Sequence, residues 1–98
     1  MDIKELTQRM HEFVDKKGWY AENSSRPQTL RSLAISLSLE AAEVLEHFQW
    51  GEDTDNTKAL AGELADVALY LLQIASQAGI NLEEAILDKL EKNRQRDW

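Results

Sequence analysis

The residues in this sequence best suited to chemistry are two pairs of carboxylates. Glu40 and Glu43 stand in Ser38-Leu39-Glu40-Ala41-Ala42-Glu43, and Glu63 and Asp66 stand in Gly62-Glu63-Leu64-Ala65-Asp66. Each pair is three residues apart within a run that is otherwise apolar and helix-forming. A helix turns about 100° per residue, so positions i and i+3 lie on one side, roughly one turn apart. Like charges in that relation repel and cost an isolated helix about 0.2–0.5 kcal/mol. A chain that repeats the arrangement is suited to holding a cation. Carboxylate oxygens select a hard cation, Mg2+ first and Mn2+ second. His47 falls on the face of Glu40 and Glu43, one turn on, which keeps iron open, although the Glu-x-x-His pattern of di-iron bundles is absent. Mg2+ held by carboxylates keeps positions for water and for substrate phosphates, and metal-bound water is the better nucleophile. Without metal, such a cluster raises the pKa of some of its members, because like charges disfavour ionisation. The plainer alternative is that both pairs are ordinary solvated helix faces.

Two helices must bring these groups together. Residues 28–49 read as one, with Leu30, Leu33, Leu37, Ala41, Val44 and Phe48 as its apolar stripe. Glu40 lies about 60° to one side of that stripe and Glu43 about 120° on the same side. The next helix runs to Ala78 with Leu60, Leu64, Val67, Leu71 and Ile74 as its stripe, and Glu63 and Asp66 repeat the same offsets in the same sense. As antiparallel neighbours, which a short connection favours, the two helices would line all four acids along one edge of their contact. Asp53, Thr54 and Asp55 each offer an N-cap to the second of them, and Gly79 its stop.

Two further helices complete the chain. Residues 2–17 place Ile3, Leu6, Met10, Phe13 and Val14 at helical spacing, with Lys16 and Lys17 at the negative end of the dipole and Gly18 as the stop. His11 reads as a surface histidine. Residues 82–96 open on Asn81 and Glu84, which resemble a capping box, with Ile80, Leu82, Ile86, Leu87 and Leu90 facing the core. Lys89, Lys92, Arg94 and Arg96 make the end of that helix basic, suited to the far end of a polyphosphate. No period-two alternation bounded by turn pairs marks a strand. The expected fold is all-α, four helices in a single domain, residues 1–98.

Residues 18–27, Gly-Trp-Tyr-Ala-Glu-Asn-Ser-Ser-Arg-Pro, form the one long irregular stretch. Ser25 offers an N-cap to the following helix, and Pro27 suits its first turn. Trp19 is placed to stack on a base and Arg26 to meet phosphate. The plainer reading is that Trp19 lids the core and Arg26 is solvated.

Composition limits the alternatives. A net charge of −7 disfavours non-specific binding to a nucleic-acid polymer, which needs a basic surface. It leaves room for one phosphorylated small ligand held through a metal. With no cysteine there is no disulfide framework, thiolate nucleophile or zinc–thiolate site. The amphipathic, charged start Met1-Asp2-Ile3-Lys4-Glu5 is unlike a signal peptide, and no uninterrupted apolar run approaches the roughly 20 residues of a membrane span. A cytoplasmic protein without membrane partners is expected. A core this small gains from oligomerisation.

The pattern resembles the MazG-type, all-α nucleoside triphosphate pyrophosphohydrolases. Glu40-x-x-Glu43 followed by Glu63-x-x-Asp66 resembles their signature. Glu40-Ala-Ala-Glu43-Val-Leu-Glu46-His-Phe48-Gln49-Trp50 is similar to a segment of the dCTP pyrophosphatase branch, as are Asp66-Val67-Ala68-Leu69-Tyr70-Leu71 and Lys89-Leu-Glu-Lys-Asn93-Arg94-Gln95-Arg96. The resemblance implies hydrolysis of a nucleoside triphosphate to the monophosphate and pyrophosphate with Mg2+. It implies Glu40, Glu43, Glu63 and Asp66 as metal ligands and water activators, and Trp19 and Trp50 flanking the base. Tyr70, Lys89 and Asn93 would touch sugar or phosphates, with Arg96 a weaker candidate. It also implies a homodimer or a dimer of dimers with sites completed across subunits. Ser25-Arg26-Pro27-Gln28-Thr29-Leu30 departs from the branch's His-x-Pro-Arg-Asn-Leu, with Ser25 at its histidine and Gln28 at its arginine. That departure bears on base identity, so dCTP stands beside modified or non-standard nucleotides. The chain stops at Trp98, where relatives often continue, so a C-terminal lid is expected to be missing.

Two other enzyme classes share the architecture and metal logic, the phosphoribosyl-ATP pyrophosphohydrolases and the dimeric dUTPases. Trp19 and Trp50 favour a free-nucleotide pocket over the first. The alternative from a different class is a non-catalytic helical module that binds a nucleotide or a partner through the same seam. A full set of four acids argues against it.

Overall fold

The computed structural model describes residues 1–97; Trp98, with the expectation about a missing lid, lies outside them. Four helices follow in order: α1 (Ile3–Lys16), α2 (Leu30–Glu46), α3 (Thr57–Gln77) and α4 (Leu82–Arg94). No strand occurs among the described residues. α3 is the spine. It packs most extensively on α2, less on α1 and least on α4. Gln28, ahead of α2, bonds to Gln73 late in α3, and His47, just after α2, pairs with Glu63 early in α3. Those two ties fix α2 and α3 as antiparallel neighbours.

Local chemistry sets the helix ends, and several differ from expectation. α2 starts at Leu30, not at residue 28. Its cap is Thr29, whose Oγ1 accepts from the Ser32 amide while the Ser32 hydroxyl receives the Thr29 N–H. This reciprocal box leaves Ser25 and Pro27 outside the helix, and the Ser32 hydroxyl also donates to the Pro27 carbonyl at 2.6 Å. α2 ends at Glu46 because His47, Phe48 and Gln49 form tighter i→i+3 bonds to Val44, Leu45 and Glu46. α3 is capped by Asn56 rather than by Asp53, Thr54 or Asp55. Asn81 caps α4 through the Glu84 amide as the sequence predicts, and α4 stops at Arg94 rather than at residue 96.

α1 and α3 both close with a Schellman motif. Gly18 (φ 75°) and Gly79 (φ 71°) take the left-handed conformation that favours glycine. In the first motif the Gly18 N–H reaches Asp15 and the Trp19 N–H reaches Val14; in the second, Ile80 N–H reaches Ala75. The Gly18 turn therefore sets where Trp19 leaves the helix.

The buried core is small: Met10, Val14, Leu33, Leu72 and Ala75, with one polar side chain, Gln73. Ile3, Trp19, Tyr20 and Leu82 pack against its Met10–Val14–Leu72 part. Much of the expected core is not covered. Leu6, Phe13, Leu30, Leu64, Leu71, Ile80, Ile86, Leu87 and Leu90 are all exposed, as are Phe48 and Ala41. The radius of gyration is 15.8 Å, against about 13 Å for a compact domain of this length. The apolar stripes are present as the spacing predicts, but one chain does not close over them. α3, at 21 residues, is long and apolar enough by length and composition alone to cross a membrane, but Glu63 and Asp66 interrupt it, so it is not the uninterrupted apolar run that a span would show. Leu33 is only 2% exposed at the α2–α3 contact, so Leu33→Ala is expected to cost about 2–5 kcal/mol, read as a loss of urea midpoint with unchanged helix content.

Candidate active site at the α2–α3 seam

Glu43, Glu63 and Asp66 lie within electrostatic reach of Glu40 at the α2–α3 seam. Glu40 feels Glu43 on its own helix and Asp66 and Glu63 from α3. Its carboxyl is pushed above the ordinary carboxylate range, first by loss of solvent, then by a hydrogen bond with Glu43 and the charges of Glu43, Asp66 and Glu63. Glu40 Oε2 is shielded from water and has no hydrogen-bond partner. Across the seam His47 Nε2 pairs with Glu63, while His47 Nδ1 meets Thr54 Oγ1 at 3.2 Å. The ring is thus held between the α2–α3 connection and one of the acids.

These residues fit a hard divalent cation. A sealed carboxylate oxygen without a partner and three like charges around it are the conditions a cation relieves, and all the donors are oxygen. Among the described residues no three His, Cys, Asp or Glu side chains are gathered closely enough, as they stand, to hold a metal ion, so the acids must draw together when one binds. An open arrangement is what Mg2+ tolerates, since it keeps several water or phosphate ligands.

Beside the seam lies a largely apolar cleft of about 630 Å³ between α1, the 18–29 segment, α2 and α3. Asp66 and Tyr70 form part of its wall, so it opens onto the acids. Trp19 also lines it, T-shaped against Phe13 with ring centroids 5.7 Å apart and with the Arg26 guanidinium over its ring at 5.3 Å. Of the residues expected to bind substrate, Trp19, Arg26 and Tyr70 share this cleft. Trp50 does not; it is 91% exposed, in a shallow hollow with His47 and Thr54. Lys89 lies mid-way along α4, Asn93 in its last turn and Arg96 just beyond it, and none of them lines the cleft.

A polar chain behind the cleft corrects the reading of His11 as a surface residue. His11 is half-buried, with Nε2 at 2.7 Å from Ser76 Oγ and Nδ1 at 2.5 Å from the Tyr20 hydroxyl. Gln73 Nε2 reaches the same hydroxyl at 3.4 Å and Gln28 Oε1 at 2.7 Å, and Gln28 Nε2 donates to the Arg26 carbonyl at 2.7 Å. Burial is the main reason the Tyr20 phenol is held above its usual pKa. The sequence held one signal for this chain: Gln73 interrupts the apolar run Leu71-Leu72-Gln73-Ile74.

Residues 35–97, which carry all four acids, match the MazG-like family. This chain belongs to the MazG-like family. It is 35% identical to mouse dCTP pyrophosphatase 1 over 90% of its own length and 55% of the relative's. It is also 35% identical to a dATP/dGTP diphosphohydrolase of Salmonella phage PMBT28, over 83% of this chain and 24% of that protein. The chain thus spans about half the length of the mammalian relative, and less of the phage protein. Among solved structures, a pyrophosphatase from Archaeoglobus fulgidus superimposes with a TM-score of 0.76 at 37% identity, covering 95% of this chain and 89% of that one. MazG-like membership and the all-α class therefore stand as the sequence predicts.

Proposed function

We propose that this chain is a divalent-metal-dependent pyrophosphohydrolase that converts a nucleoside triphosphate to the monophosphate and pyrophosphate. The observation that carries the reading is the convergence of Glu40, Glu43, Glu63 and Asp66 beside a cleft that Trp19 walls. The names of the relatives support triphosphate cleavage. They differ in base, so dCTP and a modified or non-canonical nucleotide both remain in the substrate class. Mg2+ is the proposed metal, with Mn2+ as substitute, held by the same four carboxylates. When bound, it would neutralise phosphate charge and supply an activated water. Release of the His47 contact would free Glu63 for this role.

The chain's own residues do the rest. Trp19 offers a face for the base once Arg26 turns from the ring toward phosphate. Tyr70 lies on the cleft wall near Asp66 and is assigned to the sugar or phosphates. Lys89, Asn93, Arg96 and Trp50 are assigned to the site in a homodimer or dimer of dimers, where a second chain brings them to the cleft. The exposed stripes of α2, α3 and α4 support that assembly, and a cytoplasmic location fits it. Trp19→Ala is expected to raise KM about five- to a hundredfold with a smaller change in kcat, the loss of one stacking face. The deciding assay is pyrophosphate release from a panel of canonical and modified nucleoside triphosphates, in Mg2+ and then in EDTA. Metal-dependent release from a subset supports the reading. Magnesium-dependent nucleotide binding without release would favour the binding module instead.

A further inference from the structure

Resting on the proposed nucleotide cleft, we infer that Gln28 is its base-reading side chain, and that Gln73, Tyr20 and His11 are positioning residues that lock its amide in one orientation. A glutamine amide ordinarily flips between two states that present donor and acceptor in opposite order. Here the order is dictated from one end. The Arg26 carbonyl only accepts, so the Gln28 amide nitrogen must face it, at 2.7 Å. Gln28 Oε1 then faces Gln73 Nε2, again at 2.7 Å, and Gln73 directs its other N–H to the Tyr20 hydroxyl. That hydroxyl has two acceptors in reach, Met10 Sδ at 3.9 Å and His11 Nδ1 at 2.5 Å; the thioether is the weaker, so we assign its proton to His11 Nδ1, which makes His11 Nε2 the donor to Ser76 Oγ. Gln73 is 3% exposed, so a reversed amide would leave buried groups facing their own kind.

Gln28 lines the cleft that Trp19 walls, and two of its capacities remain uncommitted: one N–H and one lone pair on Oε1. A fixed donor–acceptor pair discriminates between bases whose edges carry the opposite order. Cytosine and adenine present an amino donor beside a ring-nitrogen acceptor. Uracil, thymine and guanine present a carbonyl acceptor beside a ring N–H donor. The locked amide therefore separates amino bases from keto bases, and the separation depends on groups that touch no substrate.

The test compares kcat/KM for amino-base and keto-base triphosphates in the full chain with Mg2+. Wild type is expected to differ between the two sets by about ten- to a hundredfold, the range of one two-bond base contact. Gln28→Ala should bring that ratio close to one. Tyr20→Phe, which keeps the ring and removes the hydroxyl, should reduce the ratio several-fold while the better substrate's kcat and the thermal midpoint change little. His11→Ala should act as Tyr20→Phe does, and His11→Gln, which restores an acceptor, should recover part of the ratio. A purely structural role would move the midpoint and leave the ratio alone. Should the positioning variants fold poorly, Gln28→Ala and calorimetric binding of cytidine and uridine monophosphates still decide the matter. The inference is overturned if wild type cleaves both sets equally, or if Gln28→Ala keeps the wild-type ratio. Absence of pyrophosphate release from every triphosphate by folded wild type would instead remove the underlying function, and this inference with it.

Discussion

Glu43→Gln is expected to lower pyrophosphate release by about a hundredfold to ten-thousandfold, the range for losing one group that handles a proton in the transition state, while making the metal-free protein more stable. The two outcomes share one cause. Glu43 is exposed on α2 and its interactions are with Glu40, so its carboxylate adds little to folding. What it does is press on Glu40: a hydrogen bond and a like charge from Glu43 both hold the Glu40 proton on. An amide of nearly the same shape keeps the helix and removes the repulsion. A relief of about 0.2–0.5 kcal/mol follows from the helical spacing, which for a domain this size is a rise in melting temperature of about 1–4 °C in EDTA. Activity lost together with stability gained is the signature of a charge kept for function. Full turnover in the folded variant would remove Glu43 from the active site.

The acids were legible because their information is local. Helical spacing and two matched offsets predict one edge for Glu40, Glu43, Glu63 and Asp66, and the antiparallel pairing of α2 with α3 brings them there. Helix existence was legible for the same reason, whereas helix ends depended on which of several polar side chains won the cap. Thr29 prevailed over Ser25 because Ser32 returned its bond, a reciprocity that a single-residue preference does not show. The chain from His11 to Gln28 was not legible. Its links from α3 join residues 45 to 65 positions apart, and although Tyr20 is only nine residues from His11, nothing local says that Ser76 will flank His11 or that Gln73 will meet Gln28. The stripes misled in one respect. Spacing tells which side of a helix is apolar and not what will cover it, so Leu64, Leu87 and Leu90 match the period of a core while standing in solvent on this chain.

Adding Mg2+ is expected to raise the melting temperature near neutral pH by about 10–20 °C at a hundredfold excess over Kd, the equivalent of about 2.7 kcal/mol. The pH dependence separates this from a general salt effect. Glu40 has a folded-state pKa raised above its ordinary 4.5, so the folded chain binds that proton more tightly than the unfolded chain. By linkage, this group's contribution in EDTA becomes less favourable as pH rises from about 4.5 through the raised value, and improves as pH falls back through the same window. The cation requires the ionised form and therefore competes with the proton. The gap between melting temperatures in Mg2+ and in EDTA should open as pH rises through that window and shrink as it falls. Glu40→Gln should lose the proton-linked part and most of the Mg2+ gain together, because one carboxylate underlies both. Equal melting temperatures in Mg2+ and EDTA at neutral pH would mean that the seam holds no cation in the free protein, and would shift the metal's arrival to the complex with the triphosphate. That outcome is also measurable: Mg2+ would then stabilise the protein only when nucleotide is present, and the Glu40→Gln variant would lose that joint effect.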